Sequence, residues 1–320
     1  MMARLAFLGS PEAAVPSLRA LVDAGHDVAV VVSQPDKRRG RGTSTTPSPV
    51  KQAALGAGLA VSDRIDDVLD SAAELGVVVA YGRIVPERVL QRTPMLNAHF
   101  SLLPRWRGAA PVERAILAGD RVTGVSIMRL EAELDTGPVL KVRQEPIFHD
   151  QREHASQLRG RLAAVAAELL VEILGGGVAM LGPGTTQAGE VTYAAKIEAD
   201  ELRLDFSRPV AGLERIVRLD RAWTLFRGER MRVLDAVAHE APTGATPQAA
   251  GRVPGNQATE PTELTEPTRE RPAGALQGTS VQAVDGTLEL LVVQPAGRRP
   301  QPAAEWLRGA RLVSGERLGE

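Results

Sequence analysis

Apolar residues in the first part of the chain form short continuous runs separated by segments of helical spacing. The runs RLAFLG (4–9), DVAVVVS (27–33) and GVVVAYG (76–82) are typical of strands that are buried on both faces of a sheet. The segment between the first two runs, residues 11–26, places its apolar residues at helical spacing and ends near a glycine. This order predicts a parallel sheet with helices packed on both faces.

The same pattern continues toward the middle of the chain. The segment 95–101 reads as a further strand, and 110–119 reads as a helix. Two strands are predicted at 124–130 and 137–147, joined by a short polar loop. A long amphipathic helix is predicted over 155–174, where a run of glycines ends it.

These elements predict two domains. Residues 1–195 form a doubly wound, mostly parallel α/β domain of the Rossmann-like type. Residues 196–320 contain short strands around glycine turns, which predict a smaller β-barrel of the OB type. Residues 239–271 are rich in proline, threonine and glutamate and lack aromatic residues, so we expect a disordered insertion in the second domain.

Composition narrows the chemistry. The 320 residues include no cysteine, which excludes disulfides and thiolate metal sites. The formal net charge is −1, so contact with nucleic acid would have to come from local basic clusters. The N-terminal apolar run is too short for a signal sequence, and no stretch is long enough to span a membrane, so we expect a cytoplasmic protein.

Polar residues gather at the end of the strand predicted over 95–101. Asn97, His99 and Ser101 alternate along it, so their side chains point to one face. The carboxyl ends of parallel strands are where open α/β sheets bind ligands, and the loop that contains Asp135 follows the next predicted strand. An amide donor, an imidazole and a carboxylate suit acyl transfer, in which a carbonyl oxygen develops negative charge while an amine loses a proton.

Structural explanations of the same residues stay open on the sequence alone. His99 is also compatible with a hydrogen-bonded core histidine, and Asp135 with a turn-forming aspartate. Residues 105–108, Arg-Trp-Arg-Gly, are compatible with a solvated surface turn. The chain has no Gly-x-Ser-x-Gly elbow, so a covalent acyl-enzyme is not indicated, and its first turn lacks the Gly-x-Gly-x-x-Gly fingerprint of dinucleotide binding.

The motifs together resemble those of the folate-dependent formyltransferases. That family carries an Asn-x-His-x-Ser-Leu-Leu-Pro motif with an aspartate downstream, which this chain matches in NAHFSLLP (97–104) and LDTG (134–137). Further segments occur in the family's order, and they favour the branch of the family that acts on a tRNA. These segments are SQPD with GRG and PSPVK within 33–51, VVVAYG, RWRGAAP, VTGVSIM, VTYAAKI and QPAG.

The resemblance implies the role of each site residue. It makes Asn97, His99 and Asp135 the catalytic trio of formyl transfer from 10-formyltetrahydrofolate, with no metal ion. It also implies that the folate co-substrate contacts the segment that follows His99, namely Ser101, Leu102, Leu103 and Pro104.

For the acceptor, the resemblance implies the amino group of methionine carried by initiator tRNA. The basic loop QPDKRRGRG (34–42) is similar to the loop that approaches the acceptor stem in that branch, and its phosphate contacts would come from Lys37, Arg38, Arg39 and Arg41. Taken alone, these cations are compatible with a solvated loop. We expect the protein to work as a monomer.

Two other functions compete with this interpretation. The first is another formyltransferase of the same superfamily that acts on a small amine, either in the purine pathway or on an amino sugar. The second is a non-catalytic RNA-binding protein on an α/β scaffold. An intact trio argues against the second, because binding alone does not need it.

Overall fold

The computed structural model describes residues 2–38, 45–241, 271–313 and 315–320. It divides into two compact units, Met1–Glu198 and Ala199–Glu320.

The first unit is built on a seven-stranded sheet. Its strand order is β10-β9-β7-β6-β1-β2-β5, and only β9 runs antiparallel to its neighbours. Two small two-stranded sheets, β3-β4 and β8-β11, lie outside it. The strands are β1 Arg4–Gly9, β2 Asp27–Val32, β3 Lys37–Arg38, β4 Thr45–Thr46, β5 Val61–Ser62, β6 Leu75–Val79, β7 Met95–His99, β8 Arg107–Gly108, β9 Val122–Arg129, β10 Val139–Pro146 and β11 Tyr193–Ala194.

The described part of this unit contains six α-helices, and the predicted helix over 155–174 is confirmed to the residue. Helix α2 shows how local sequence sets a helix start: Ser48 Oγ accepts the Lys51 N–H at 3.0 Å, and Pro49 occupies the first helical position. The helices are α1 Val15–Asp23, α2 Pro49–Gly56, α3 Asp67–Asp70, α4 Glu87–Leu90, α5 Pro111–Ala118 and α6 Ala155–Leu174. The elements α2, α3, α4 and β5 were not predicted; α3, α4 and β5 have four residues or fewer, which is too few to show a period.

Both faces of the sheet are buried, as the continuous apolar runs predict. On β1, Ala6 and Leu8 pack in a cluster that includes Val68 of α3 and Val89 of α4. Residues on the opposite face of β1, such as Phe7, are equally buried. The core therefore holds the sheet between two layers of helices, and it leaves the carboxyl ends of the strands as the edge where polar side chains can collect.

In its described residues, the second unit contains a six-stranded antiparallel sheet and two α-helices. Its strand order is β12-β13-β16-β15-β14, and β17 pairs with β16. The predicted architecture, a mostly parallel α/β unit followed by a smaller β unit, is confirmed, and the strands of the second unit form an antiparallel sheet. The elements are α7 Val210–Val217, β12 Trp223–Phe226, β13 Glu229–Glu240, β14 Leu276–Gln277, β15 Ser280–Gln282, β16 Gly286–Pro295, β17 Gln301–Pro302 and α8 Ala303–Ala310.

The insertion predicted over 239–271 begins too early. His239 and Glu240 are the last residues of β13, and they pair with Thr287 and Gly286 of β16. Composition missed this because cross-strand pairing to a distant strand holds the two residues in place. Residues 242–270 lie outside the described residues, so the prediction of disorder stays a prediction there.

The tight packing of β9 and β10 gives a stability test. A Cβ at Gly124 would overlap the carbonyl oxygen of Arg143 on β10 and lie 2.5 Å from Leu102 Cδ2. We expect Gly124→Ala to lower the free energy of unfolding by about 1–3 kcal/mol, measured by urea denaturation. The control is Gly160→Ala on α6, where a Cβ meets nothing within 4 Å. This variant should raise the free energy of unfolding by roughly 0.5–1 kcal/mol, because alanine favours the helix over glycine. Equal effects at both positions would contradict this packing.

Candidate active site

The end of strand β7 supplies two of the predicted site residues. Asn97 and His99 lie two positions apart, so they point to one face of the sheet, and they pair with Met128 and Ser126 of β9. His99 is the final residue of β7 and is only 6% exposed. The strand thus delivers both side chains to the carboxyl edge of the sheet.

Asp135 comes from the loop between β9 and β10 and meets these two side chains. Its Oδ1 lies 3.5 Å from Asn97 Nδ2, and its Oδ2 lies 3.6 Å from His99 Nδ1. The Gly108 N–H donates to the same Oδ2 at 2.8 Å. The structure therefore brings the predicted trio together around one carboxylate that is 11% exposed.

The ring of His99 is held in one orientation. Its Nε2 lies 2.8 Å from the carbonyl oxygen of Trp106. A carbonyl oxygen only accepts hydrogen bonds, so Nε2 carries a proton and donates it. In the neutral ring the basic atom is then Nδ1, which faces Asp135. A protonated Nδ1 is stabilised by that carboxylate.

The Arg-Trp-Arg-Gly segment is held in this site by hydrogen bonds to other parts of the chain. The interpretation of it as a solvated turn is therefore wrong. Asp120 accepts two bonds from Arg105, at 2.9 and 2.7 Å, and one from Trp106 Nε1 at 2.7 Å. The guanidinium of Arg105 lies 4.5 Å from the centre of the Trp106 ring, and its hydrogen bonds to Asp120 raise the pKa of Arg105. Asp120 reaches this place because Gly119 ends α5 in a left-handed turn, φ +75°.

Trp106 itself adopts a strained backbone. Its φ is +62°, a left-handed value that costs a bulky residue about 1–3 kcal/mol. The Trp106 N–H donates to Thr192 Oγ1 at 2.9 Å, which adds a second anchor to the Asp120 contact. These bonds hold the Trp106 carbonyl at His99.

A second brace holds the Asp135 loop. Gln187 Nε2 donates to the carbonyl oxygens of Asp135 and Gly137 at 2.8 and 2.9 Å, and its Oε1 accepts two bonds from Arg107 at 3.1 and 2.7 Å. Asp135 also has a left-handed φ, +52°. The site predicted from the sequence did not include Asp120, Thr192 or Gln187. Thr192 lies in the VTYAAKI segment noted above, but no spacing links any of the three residues to the motif at 97–104.

The segment predicted to contact folate is folded against β9. Ser101 is fully buried, and its hydroxyl donates to the Arg105 carbonyl at 2.6 Å, so this hydroxyl is already used within the chain. Its own carbonyl accepts from Ser126 Oγ at 2.7 Å. Leu102 and Leu103 are half-buried and Pro104 is buried. A ligand would therefore meet the leucines of this segment more readily than the serine hydroxyl.

The basic loop is described only in part. Lys37 and Arg38 form strand β3, which pairs with Thr45 and Thr46. Arg39 and Arg41 lie outside the described residues.

A cleft of about 380 Å³ lies at the same carboxyl edge of the sheet, beside the ends of β1, β2 and β6. Strand order reverses between β1 and β6, which is the position where doubly wound sheets bind ligands. Ser10 and Ser48 are among the residues that line it. Ser48 Oγ is 2.6 Å from the hydroxyl oxygen of the buried Ser33, and Ser10 Oγ accepts the Gln34 N–H at 3.1 Å. The sequence predicted ligand binding at this edge of the sheet, but it did not predict these serine hydroxyls.

The described ranges contain no group of three or more histidine or acidic side chains placed to hold a metal ion. Within the same ranges, no helix is both long and apolar enough to cross a membrane.

Both units match family models. Residues 3–174 match the model described as formyl transferase, and residues 196–311 match the model described as formyl transferase, C-terminal domain. The methionyl-tRNA formyltransferase of Methylococcus capsulatus is 39% identical over 335 residues, which covers 99% of this chain and 99% of that protein. The methionyl-tRNA formyltransferase of Acidothermus cellulolyticus is 42% identical over 333 residues, 98% of this chain and 99% of that protein.

Solved structures with lower identity share the fold. The methionyl-tRNA formyltransferase from Clostridium thermocellum superposes with a TM-score of 0.56 at 13% identity, over 74% of this chain and 93% of that one. HypX from Aquifex aeolicus in complex with tetrahydrofolic acid gives a TM-score of 0.59 at 17% identity, over 96% of this chain and 47% of that one.

The hydrogen bond to Trp106 predicts the tautomer of His99. In the neutral ring we expect the proton on Nε2, because the carbonyl oxygen needs a donor there. Nitrogen-15 NMR of the imidazole distinguishes the two tautomers, and a His99→Gln variant identifies the signal among the five histidines. A neutral His99 that carries its proton on Nδ1 would contradict the geometry.

Proposed function

The chain belongs to the formyl transferase family, and we propose on this premise that it formylates methionine carried by initiator tRNA, with 10-formyltetrahydrofolate as donor. The observation that carries this function is the near-complete match, at about 40% identity and across both units, to methionyl-tRNA formyltransferases. The enzyme is a methionyl-tRNA formyltransferase, and its substrates are the charged initiator tRNA and the folate. Its product is N-formylmethionyl-tRNA, which serves translation initiation.

A transfer assay tests this function directly. The purified chain should move the formyl group from 10-formyltetrahydrofolate to methionine on charged initiator tRNA. Glycinamide ribonucleotide and an amino-sugar nucleotide serve as control acceptors and should remain unmodified. Transfer to a small amine in place of the tRNA would identify a different branch of the family, and no transfer to any acceptor would favour a binding protein.

In the proposed mechanism, Asn97 and His99 stabilise the oxyanion. The α-amino group attacks the formyl carbon, and the carbonyl oxygen becomes negative in the tetrahedral intermediate. Asn97 Nδ2, at 3.5 Å from Asp135, makes only a long hydrogen bond there and is available as a donor. His99 donates from Nδ1 once that atom is protonated. Donors aimed at a developing oxyanion are worth about 10²–10³ in rate each.

In this mechanism, Asp135 stabilises positive charge on His99 and takes part in proton transfer. Over the whole reaction the amine loses one proton, the bond between the formyl carbon and N10 of the folate breaks, and N10 gains one proton. Asp135 and His99 Nδ1 are the titratable groups of the trio, and they face each other at 3.6 Å. The Gly108 N–H donates to Asp135 Oδ2 and orients the carboxylate, which in its charged form stabilises an imidazolium at His99. This pair relays the proton.

The role of Asp135 is tested by Asp135→Asn. The amide has the same shape but no charge, so we expect kcat for formyl transfer to fall by about two orders of magnitude or more while folate affinity changes little. The control is Asp23→Asn, a matched substitution at the exposed end of α1, which should keep full activity. Near-normal turnover by Asp135→Asn would remove Asp135 from the mechanism.

The basic loop is proposed to bind the acceptor stem. Its cations would contact closely spaced phosphates, whereas a small amine acceptor would not need them. Changing Arg38, Arg39 and Arg41 together to alanine should raise KM for charged tRNA and flatten its dependence on salt concentration. Folate affinity should hardly change.

A charge-matched control separates this effect from a general loss of positive charge. Lys141, Arg143 and Arg159 are three cations that pair with glutamates on the α/β unit. Their triple alanine variant should leave the salt dependence of the tRNA KM unaltered. A drop in folate affinity with an unchanged salt dependence in the Arg38, Arg39 and Arg41 variant would make the loop a cover for the folate.

We further propose that the enzyme acts in the cytoplasm, where charged initiator tRNA meets ribosomes, and that it acts as a monomer. The trio comes from a single α/β unit, so catalysis does not require a second copy. Sedimentation velocity at working concentration tests the monomer.

A further inference from the structure

Asp120 contacts Trp106, which in turn contacts His99 of the trio, and the mechanism above assigns Asp120 no role. Its two carboxylate oxygens accept three hydrogen bonds, from Arg105 Nε, Arg105 Nη2 and Trp106 Nε1, at 2.9, 2.7 and 2.7 Å. The side chain of Asp120 is 16% exposed, and that of Arg105 is 43% exposed. The bonds from Arg105 form a bidentate pair, which fixes direction as well as distance.

These contacts act on Trp106 from both sides. The Arg105 guanidinium covers the ring face, and Asp120 binds the indole N–H. The ring is thereby fixed while its own backbone holds a left-handed φ of +62°. Such a conformation persists only when its surroundings restrain it, so loss of the restraint would let the peptide after Trp106 rotate.

We propose that Asp120 is a positioning residue for His99: its carboxylate locks Trp106, and the Trp106 carbonyl then holds the imidazole with its proton on Nε2 and its basic Nδ1 toward Asp135. The proposal rests on the function assigned above, because it deepens the role of that same site. Asp120 does not touch the substrates; it acts through Trp106.

The consequence of losing the lock follows from hydrogen-bond chemistry. Without the carbonyl at 2.8 Å, nothing requires a donor at Nε2. The tautomer with its proton on Nδ1 then becomes favourable, because Asp135 Oδ2 lies 3.6 Å from that atom and accepts. Nδ1 is no longer basic in that tautomer, so the site loses the atom that relays the proton.

The test compares Asp120→Asn with Asp27→Asn. Asp27 also pairs with an arginine, Arg4, but lies at the amino end of β2, on the opposite edge of the sheet. We expect kcat of Asp120→Asn to fall roughly tenfold to hundredfold, with KM for tRNA and for folate within about twofold of wild type. Asp27→Asn should keep the wild-type kcat.

Nitrogen-15 NMR of His99 supplies the readout that a merely structural role would not change. Wild type and Asp27→Asn should show the Nε2–H tautomer in the neutral ring, and Asp120→Asn should show a substantial Nδ1–H population. A lower kcat with an unchanged Nε2–H tautomer would overturn the proposal, and so would an unchanged kcat.

Trp106→Phe keeps the proposal testable if Asp120→Asn does not fold. This variant removes the indole N–H but retains an aromatic ring under Arg105. It should show the same shift of tautomer and a smaller loss of kcat, and the absence of both changes would overturn the proposal. If wild type formylates a small amine in place of tRNA, the proposed acceptor is wrong, but the same comparison with that acceptor still decides the role of Asp120.

Discussion

The hydrogen bond from His99 Nε2 to the Trp106 carbonyl, 2.8 Å long, is the contact on which the arrangement of the site depends. It sets which nitrogen of the ring is basic, and its acceptor is the backbone carbonyl of a tryptophan in a left-handed conformation. That conformation is stable only because Asp120 and Thr192 hold the indole and the backbone N–H. The chemistry of one imidazole therefore draws on three separate segments of the chain.

The sheet explains why this site can be rigid. Strand β7 lies between β6 and β9, and its apolar residues Leu96 and Ala98 are buried against the core. The alternate positions, Asn97 and His99, lie at the carboxyl end of the strand, at the edge of the sheet where the site is formed. Polar side chains at the end of a buried strand lose little freedom when they bind, which is what a preorganised oxyanion site needs.

Much of this could be predicted from the sequence. The buried runs at β1 and β2 fixed the class of sheet, because parallel strands covered on both faces must be apolar throughout. The Asn-x-His spacing placed two side chains on one face by strand geometry alone. The amphipathic pattern predicted both ends of α6 correctly, because a helix of 20 residues repeats its pattern over many turns and single exceptions matter little. Local covalent geometry and burial determine all of these features.

Only the tertiary structure decided the rest. Asp120, Thr192 and Gln187 reach the site from a helix end and from two positions after α6, and no spacing in the chain relates them to His99 or Asp135. Ser101 belongs to the motif, but its hydroxyl donates to the Arg105 carbonyl. His239 lies in strand β13, although composition predicted that it begins the insertion. Except for the Ser101 bond, whose acceptor is only four residues away, each of these bonds joins partners that are distant in sequence. Such bonds depend on how the elements pack, which periodicity and composition do not encode.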